Sequence, residues 1–356
     1  MLNKILKSGL ITMIENNTKK RIHRYLCVGI FLVLAFSAVF VLNLTTGSVP
    51  VSVKEILEAL TGKAGDSNVV KIIRIIRLPR VIMAALLGGA LAVSGFLLQT
   101  FFGNPIAGPF VLGISSGAKF TVALNMIFWV NMSKSGSSLA MILSAFAGAL
   151  LSTAFIIFVS GSVRHKAGLL VAGIMIGYIC SAATDFLLTF AEDKDIINLR
   201  GWSMGSFSGM SWDGVFISAV VIGITLIITF LLSKPIGALR LGENYAKSMG
   251  VNVKVFRIVI ILLSSVLSAC VTAFAGPISF VGIAVPFLSK QMLKSSEPTV
   301  LIPVSFMCGA VFCMLCDLIA RCTFAPMELN ISTVTSIFGA PIVIFMLMDR
   351  RLDGKV

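Results

Sequence analysis

RLPRVIMAALLGGALAVSGFLLQTFFGNPIAG, residues Arg77–Gly108, decides what kind of chain this is. From Val81 to Phe102 it carries no charge. A helix of that length, rising roughly 1.5 Å per residue, crosses a hydrocarbon core about 30 Å thick. Its ends are more than anchors. Arg77 and Arg80 bracket a proline at one end, and Asn104-Pro105 breaks the run at the other. The pattern predicts a membrane helix with a docking point on one side of the bilayer and a shaped loop on the other.

Composition agrees. Hydrophobic residues make up 57% of the 356 and charged ones only 12%, with a mean hydropathy of +1.00. A soluble chain could not cover that much apolar surface, so the expected class is an all-α, polytopic membrane protein with the lipid bilayer as its solvent. The net charge of +14 sits mostly in short segments between apolar runs, where basic residues set topology and meet anionic headgroups. No basic stripe interleaves with exposed aromatics, which argues against a nucleic-acid partner. The seven cysteines lie mostly within apolar runs, and Cys313 and Cys316 have no histidine near them. Packing inside a helix is the expected role.

Counting apolar runs predicts about ten transmembrane helices, near 25–44, 80–102, 110–130, 139–160, 168–190, 214–232, 256–275, 279–293, 299–319 and 329–348. Ile258 to Ser289 is uncharged and too long for one span, and Gly276-Pro277 supplies its break. The apolar run after Arg24 exceeds that of a cleaved signal peptide. Residues 1–24 are therefore expected as a cytoplasmic N-terminal segment and 25–350 as the transmembrane domain. The even count returns the C-terminus, with Arg350, Arg351 and Lys355, to the cytoplasm.

Expected inner loops hold Arg164, Lys166, Lys234, Arg240, Lys247, Lys254, Arg257, Lys290 and Lys294. The first outer loop breaks the positive-inside rule with Lys54, Lys63, Lys71, Arg74, Arg77 and Arg80. Those arginines are expected to have a task of their own. Gly88, Gly89 and Gly95, and the pair Gly173 and Gly177, are expected at close helix–helix contacts.

Several blocks together resemble the FecCD family, the permease subunits of ABC importers for iron–siderophores, haem and vitamin B12. They are Arg77-Leu78-Pro79-Arg80, Gly95 through Gln99, Asn104 through Pro109, Leu112 through Ala118, Gly201 through Ser206, Leu241 through Val251, Gly276 through Gly282, and Asp317 through Arg321. Three places depart from the family pattern. Phe287 follows Pro286 where His is usual, Glu328-Leu329-Asn330-Ile331-Ser332 loses a Pro and a Gly, and no Gly-x-Asp-His appears near Lys294 to Glu297.

The resemblance implies a type II ABC importer permease in a bacterial inner or plasma membrane, carrying an iron–siderophore or a related iron chelate. Its implied partners are two ATPase subunits, a second permease subunit (the same or a related chain) and an extracytoplasmic substrate-binding protein. The chain would bind no cofactor itself; ATP and Mg would sit on the ATPase subunits. Arg77, Arg80 and Arg321 map to arginines that receive acidic residues of the binding protein, a role that suits a planar, always-charged fork. A local pair with Asp317, four residues earlier, competes for Arg321. Leu241, Gly242, Glu243, Ala246, Met249 and Gly250, within segment 240–251, map to the ATPase-coupling segment, where small residues would let a short helix enter a cleft. Asn104, Pro105 and Ile106, with Lys166 and Ala167, map to the cytoplasmic gate. Reversing charge at Arg77 and Arg80 is expected to weaken docking and spare ATPase association.

Other classes fit less well. Gly113 to Phe120 is one residue short of a P-loop and lacks its Ser or Thr, so the chain is not expected to hydrolyse ATP. An ion-gradient-coupled secondary transporter is the alternative, but its usual intramembrane ionisable groups are reduced to Lys119, Asp185 and Asp317, all off the expected midplane. An intramembrane enzyme has still less to work with: the histidines are His23 and His165, in basic inner segments.

Overall fold

The computed structural model describes residues 2–47, 49, 51–61, 68–130, 138–161, 163 and 166–348. Arg164, His165, Lys63, Arg350, Arg351 and Lys355 lie outside the described residues. The chain folds as helices: α1 (Leu2–Thr45), α2 (Val53–Thr61), α3 (Asn68–Lys71) running into a π-turn at Ile72–Arg77, and α4 (Leu78–Phe102). A 3-10 turn (Pro109–Leu112) leads to α5 (Ile114–Leu124), then α6 (Ser138–Ser160), α7 (Lys166–Leu188), α8 (Asp193–Ser203), α9 (Trp212–Leu231), α10 (Ser233–Arg240) and α11 (Glu243–Ser248). The last four are α12 (Val253–Ala275), α13 (Val281–Leu293), α14 (Pro298–Cys322) and α15 (Ile331–Met348).

All ten expected runs are helical, and among the described residues eight helices are long and apolar enough to cross a membrane. The other two, at Ile114–Phe128 and Val281–Leu293, are shorter. The run expected at 110–130 is not one straight span. Gly113 takes φ +69°, a left-handed conformation that costs glycine little, and bends the chain between the 3-10 turn and α5. At the N-terminus the helix already runs from Leu2, well before the apolar stretch.

α4 is the centre of the bundle. From Pro79 to Phe102 every residue except Ile82 and Leu86 is buried, and α14, α12 and α13 pack along it. Small residues make this possible. A Cβ on Gly88 would lie 2.5 Å from the Gly309 carbonyl oxygen, and one on Gly95 only 1.7 Å from that of Gly282. Helix backbones therefore touch directly, which in lipid replaces the hydrophobic drive. Of the two glycines of α7, Gly173 serves the same end, since a Cβ there would meet the Val111 carbonyl oxygen at 2.6 Å, whereas one on Gly177 would meet the Ser116 Oγ at an ordinary 3.6 Å. Ser94 adds a polar clasp, its Oγ 2.8 Å from both the carbonyl oxygen and the Oγ of Ser264. The large apolar side chains point outward instead: Phe155, Phe158, Ile179, Phe186, Phe216 and Leu231 are all exposed, as suits helices whose surroundings are lipid tails.

Lys294 closes α13 with φ +48°. A non-glycine residue held there costs on the order of 1 kcal/mol. Lys294→Gly is therefore expected to raise stability by about 1 kcal/mol, read as later thermal unfolding in detergent; earlier unfolding would show that the lysine side chain itself anchors this turn.

Candidate functional site: an arginine cluster and a short surface helix at opposite ends

At the end of the bundle where α4 begins, the C-termini of α1 and α14 converge. The last carbonyls of a helix lack intrahelical partners and carry the negative end of its dipole. Arg77 answers those of α1: its Nη1 donates to the Leu44 carbonyl at 2.5 Å, and its Nη2 donates to the Val49 carbonyl just beyond. Arg321 donates to the Asn43 carbonyl at 2.6 Å and to the Asn43 Oδ1 at 3.0 Å. Arg74 caps α2 in the same way through the Ala59 carbonyl.

Arg80 is held differently. One edge of its fork, Nε and Nη2, donates to Asp317 at 2.9–3.1 Å. The other edge, Nη1 and Nη2, donates to Glu328 at 2.9 and 3.1 Å. Asp317 is 1% exposed, whereas the Glu328 side chain is 44% exposed. Glu328 belongs to the segment joining α14 to α15, which is pinned by the Leu329 amide donating to the Ala320 carbonyl at 2.8 Å.

The three arginines expected as open receptors are therefore placed inward, Arg77 and Arg80 buried and Arg321 largely so. The local Asp317–Arg321 pair is only a 4.0 Å contact; Asp317 is spent on Arg80, 237 positions away in the chain. Sequence spacing gives the charges but not the carboxylates and helix-end carbonyls that converge on them.

At the opposite end, α4 stops at Gly103 and turns. The Ile106 amide donates to the Asn104 Oδ1 at 3.0 Å and the Ala107 amide to the Asn104 carbonyl at 3.1 Å. This Asx-type turn presents Ile106 at its tip, 40% exposed. Lys166 and Ala167 begin α7; Ala167 is exposed, and the Lys166 side chain is outside the described residues.

α11 is a short surface helix between two glycines with positive φ, Gly242 at +121° and Gly250 at +82°. A Cβ on either would meet nothing within 4 Å of this chain, so within the chain these glycines serve the turns through their positive φ. Ala246 is fully buried and fixes which face of α11 points inward. The opposite face shows Leu241, Tyr245 and Met249, all exposed. Spacing of four along the helix puts Tyr245 and Met249 on one ridge, and Leu241 precedes it across the Gly242 turn. Tyr245 was missed by sequence reading, although that same period marks it.

α11 is wired to the turn. Glu243 pairs with Arg257 at 3.5 Å, and the Arg257 guanidinium sits 5.8 Å from the centre of the Phe101 ring, a cation–π distance. Phe101 lies two residues before Gly103. Arg257 thus bridges α11 and the end of α4. Arg240, at the end of α10, donates to the Ser296 carbonyl, and burial pushes its pKa down. Among the described residues no group of three or more His, Cys, Asp or Glu is placed to hold a metal ion.

Residues 32–349 match the FecCD transport family. The vitamin B12 import system permease protein BtuC of Vibrio cholerae serotype O1 is 35% identical over 277 residues, covering 78% of this chain and 82% of that one. The hemin transport system permease protein HmuU of Yersinia pestis is 34% identical over 278 residues, covering 78% and 83%. Among solved structures, an inward-facing ABC transporter described as of the metal-chelate type superposes with a TM-score of 0.79 at 28% identity, over 90% of this chain and 98% of that one.

Proposed function

The chain belongs to the FecCD transport family, and on that footing we propose that it is the permease subunit of an ATP-driven importer for a chelated metal, with iron–siderophore as the first candidate cargo. It is a multi-pass membrane protein with an all-helical, type II importer fold. The cargo class is supported by what the relatives' names state, vitamin B12 and hemin, and by the metal-chelate type of the structural neighbour. The observation that carries the mechanism is α11. A short helix with a buried alanine, exposed apolar side chains at Leu241, Tyr245 and Met249 and a charged link to the α4 turn supports a role in receiving a push from a soluble partner.

In this reading two ATPase subunits, holding ATP and Mg, grip α11 from the cytoplasm. The chain itself supplies no nucleotide site. A second permease subunit completes the pathway, residues 1–24 and the C-terminus face the cytoplasm, and the Asn104–Ile106 turn, with Lys166 and Ala167, closes the inner gate. An extracytoplasmic binding protein docks over the arginine cluster. A carrier driven by an ion gradient is disfavoured by the placement of its candidate residues: Asp317 is locked to Arg80 and Asp185 is exposed.

The test is purification of the tagged protein from its native host in gentle detergent, with mass spectrometry of every co-purifying subunit and an ATP hydrolysis assay. Recovery of an ATPase, alone or with a sister permease, supports the importer. An ATPase-free preparation that still transports in proteoliposomes would replace it with a gradient-driven carrier.

Arg257 gives a sharper expectation. Arg257→Ala should leave α11 folded and the ATPase bound while cutting transport at least about ten-fold, because the link from Glu243 to Phe101 is lost. Transport and ATP hydrolysis measured together decide it: unchanged transport per ATP would mean that α11 moves α4 by another route.

A further inference from the structure

Glu328 is the exposed acid of the arginine cluster. The Arg80 guanidinium is forked between two acids of opposite character: Asp317 is buried at 1% exposure, while the Glu328 side chain is 44% exposed. A buried carboxylate paired to a buried arginine cannot be given up, since separation leaves an uncompensated charge. A half-exposed one can, because water replaces part of what it loses.

Beside Glu328 the chain exposes an apolar tip. Phe324 is 56% and Met327 72% exposed, on a segment between two spans where no lipid-facing length of helix accounts for them. The cluster beneath holds three guanidinium groups (Arg77, Arg80, Arg321) against two carboxylates (Asp317, Glu328), a surplus of one positive charge. An apolar rim over a positive floor fits an acidic side chain carried on a partly apolar surface.

We propose that the Phe324–Glu328 segment is the receiving surface for a soluble partner, and that Glu328 is a resident stand-in which the partner's carboxylate displaces from the outward edge of Arg80. This rests on the importer reading, which supplies a partner on this side. The exchange conserves charge at Arg80 and leaves Asp317 in place. It also frees the segment leading into α15, whose first turn is tied to the neighbouring loop by the Ile331 amide on the Gly205 carbonyl and the Ser332 Oγ on the Pro277 carbonyl at 2.6 Å. Docking would thereby reach α15 through seven residues of backbone rather than through the membrane core.

The probe is the binding protein captured by the wild-type complex in the co-purification described above, titrated onto the full complex in nanodiscs. Glu328→Gln removes the competitor and keeps its shape. It is expected to tighten Kd by a factor of about five, the scale of a part-exposed ion pair, with the largest gain at low salt. Glu328→Asp, which keeps the charge but shortens the reach, is expected to tighten it by less and carries the test if the Gln variant fails to assemble. Phe324→Ser combined with Met327→Ser is expected to weaken Kd without altering its salt dependence. An unchanged or weaker Kd in both Glu328 variants would overturn the exchange while leaving docking intact. Failure of the wild-type complex to capture any binding protein would end the docking reading, and this inference with it.

Discussion

Arg80→Ala is expected to cost about 3–5 kcal/mol of stability, the largest effect of any single charge removal in this chain. The substitution leaves the Asp317 carboxylate, 1% exposed, without its bidentate partner, and breaking a buried pair from one side is costly because the stranded charge stays buried. Arg321 is no substitute, since its Nε lies 4.0 Å from Asp317 and its Nη2 is already committed to Asn43. The double change Arg80→Ala with Asp317→Asn removes the stranded charge and should recover a large part of the loss. Heating the detergent-solubilised protein and following the monodisperse fraction by size-exclusion chromatography separates the two. Equal losses in the single and double variants would show that the arginine matters for packing and not for charge. Charge reversal at Arg77 and Arg80, expected from sequence to disturb docking alone, should therefore disturb the fold first.

Gly95 is the second position. A Cβ there would sit 1.7 Å from the Gly282 carbonyl oxygen and 2.4 Å from its carbonyl carbon, so the obstacle is backbone, which no rotamer change removes. Overpacking a tight core usually costs about 1–3 kcal/mol, and this contact lies at or beyond the top of that range. Gly95→Ala is expected to separate α4 from α13 and sharply reduce folded protein in the membrane, and Gly95→Leu to abolish it. Gly223→Ala in α9 is the control, for a Cβ there meets nothing within 4 Å; it should be neutral or stabilising by up to about 1 kcal/mol. Membrane yield and thermal stability read both, and a well-folded Gly95→Leu protein would mean that α4 and α13 cross at a different distance.

Much of the architecture was legible because membrane helices announce themselves by composition. An uncharged run must hydrogen-bond its own backbone in lipid, so Val81–Phe102 and its counterparts had little choice but helix, and, apart from the start of α1 at Leu2, their ends fell within a few residues of the expected ones. The segment that forms α11 was legible through its flanking glycines and charges, though not the positive φ of those glycines, because a turn and a close approach leave the same letter in the sequence. The bend at Gly113 was hidden for the same reason: an apolar run does not say whether it is straight.

The sequence by itself determined that this is a polytopic helical membrane protein, where its helices break, and which positions carry charge. Those follow from local chemistry, namely the cost of a bare backbone in lipid and the stiffness of Pro and freedom of Gly. Only the tertiary structure decided which partners the charges take. Arg77 meets the end of α1, Arg80 meets Asp317 and Glu328, and Arg257 meets Glu243 and Phe101. The two acids on Arg80 come from 237 and 248 positions away in the chain. Pairing across such distances is set by how the other helices pack around α4, and an ion pair is a property of that packing, not of the spacing of residues along the chain.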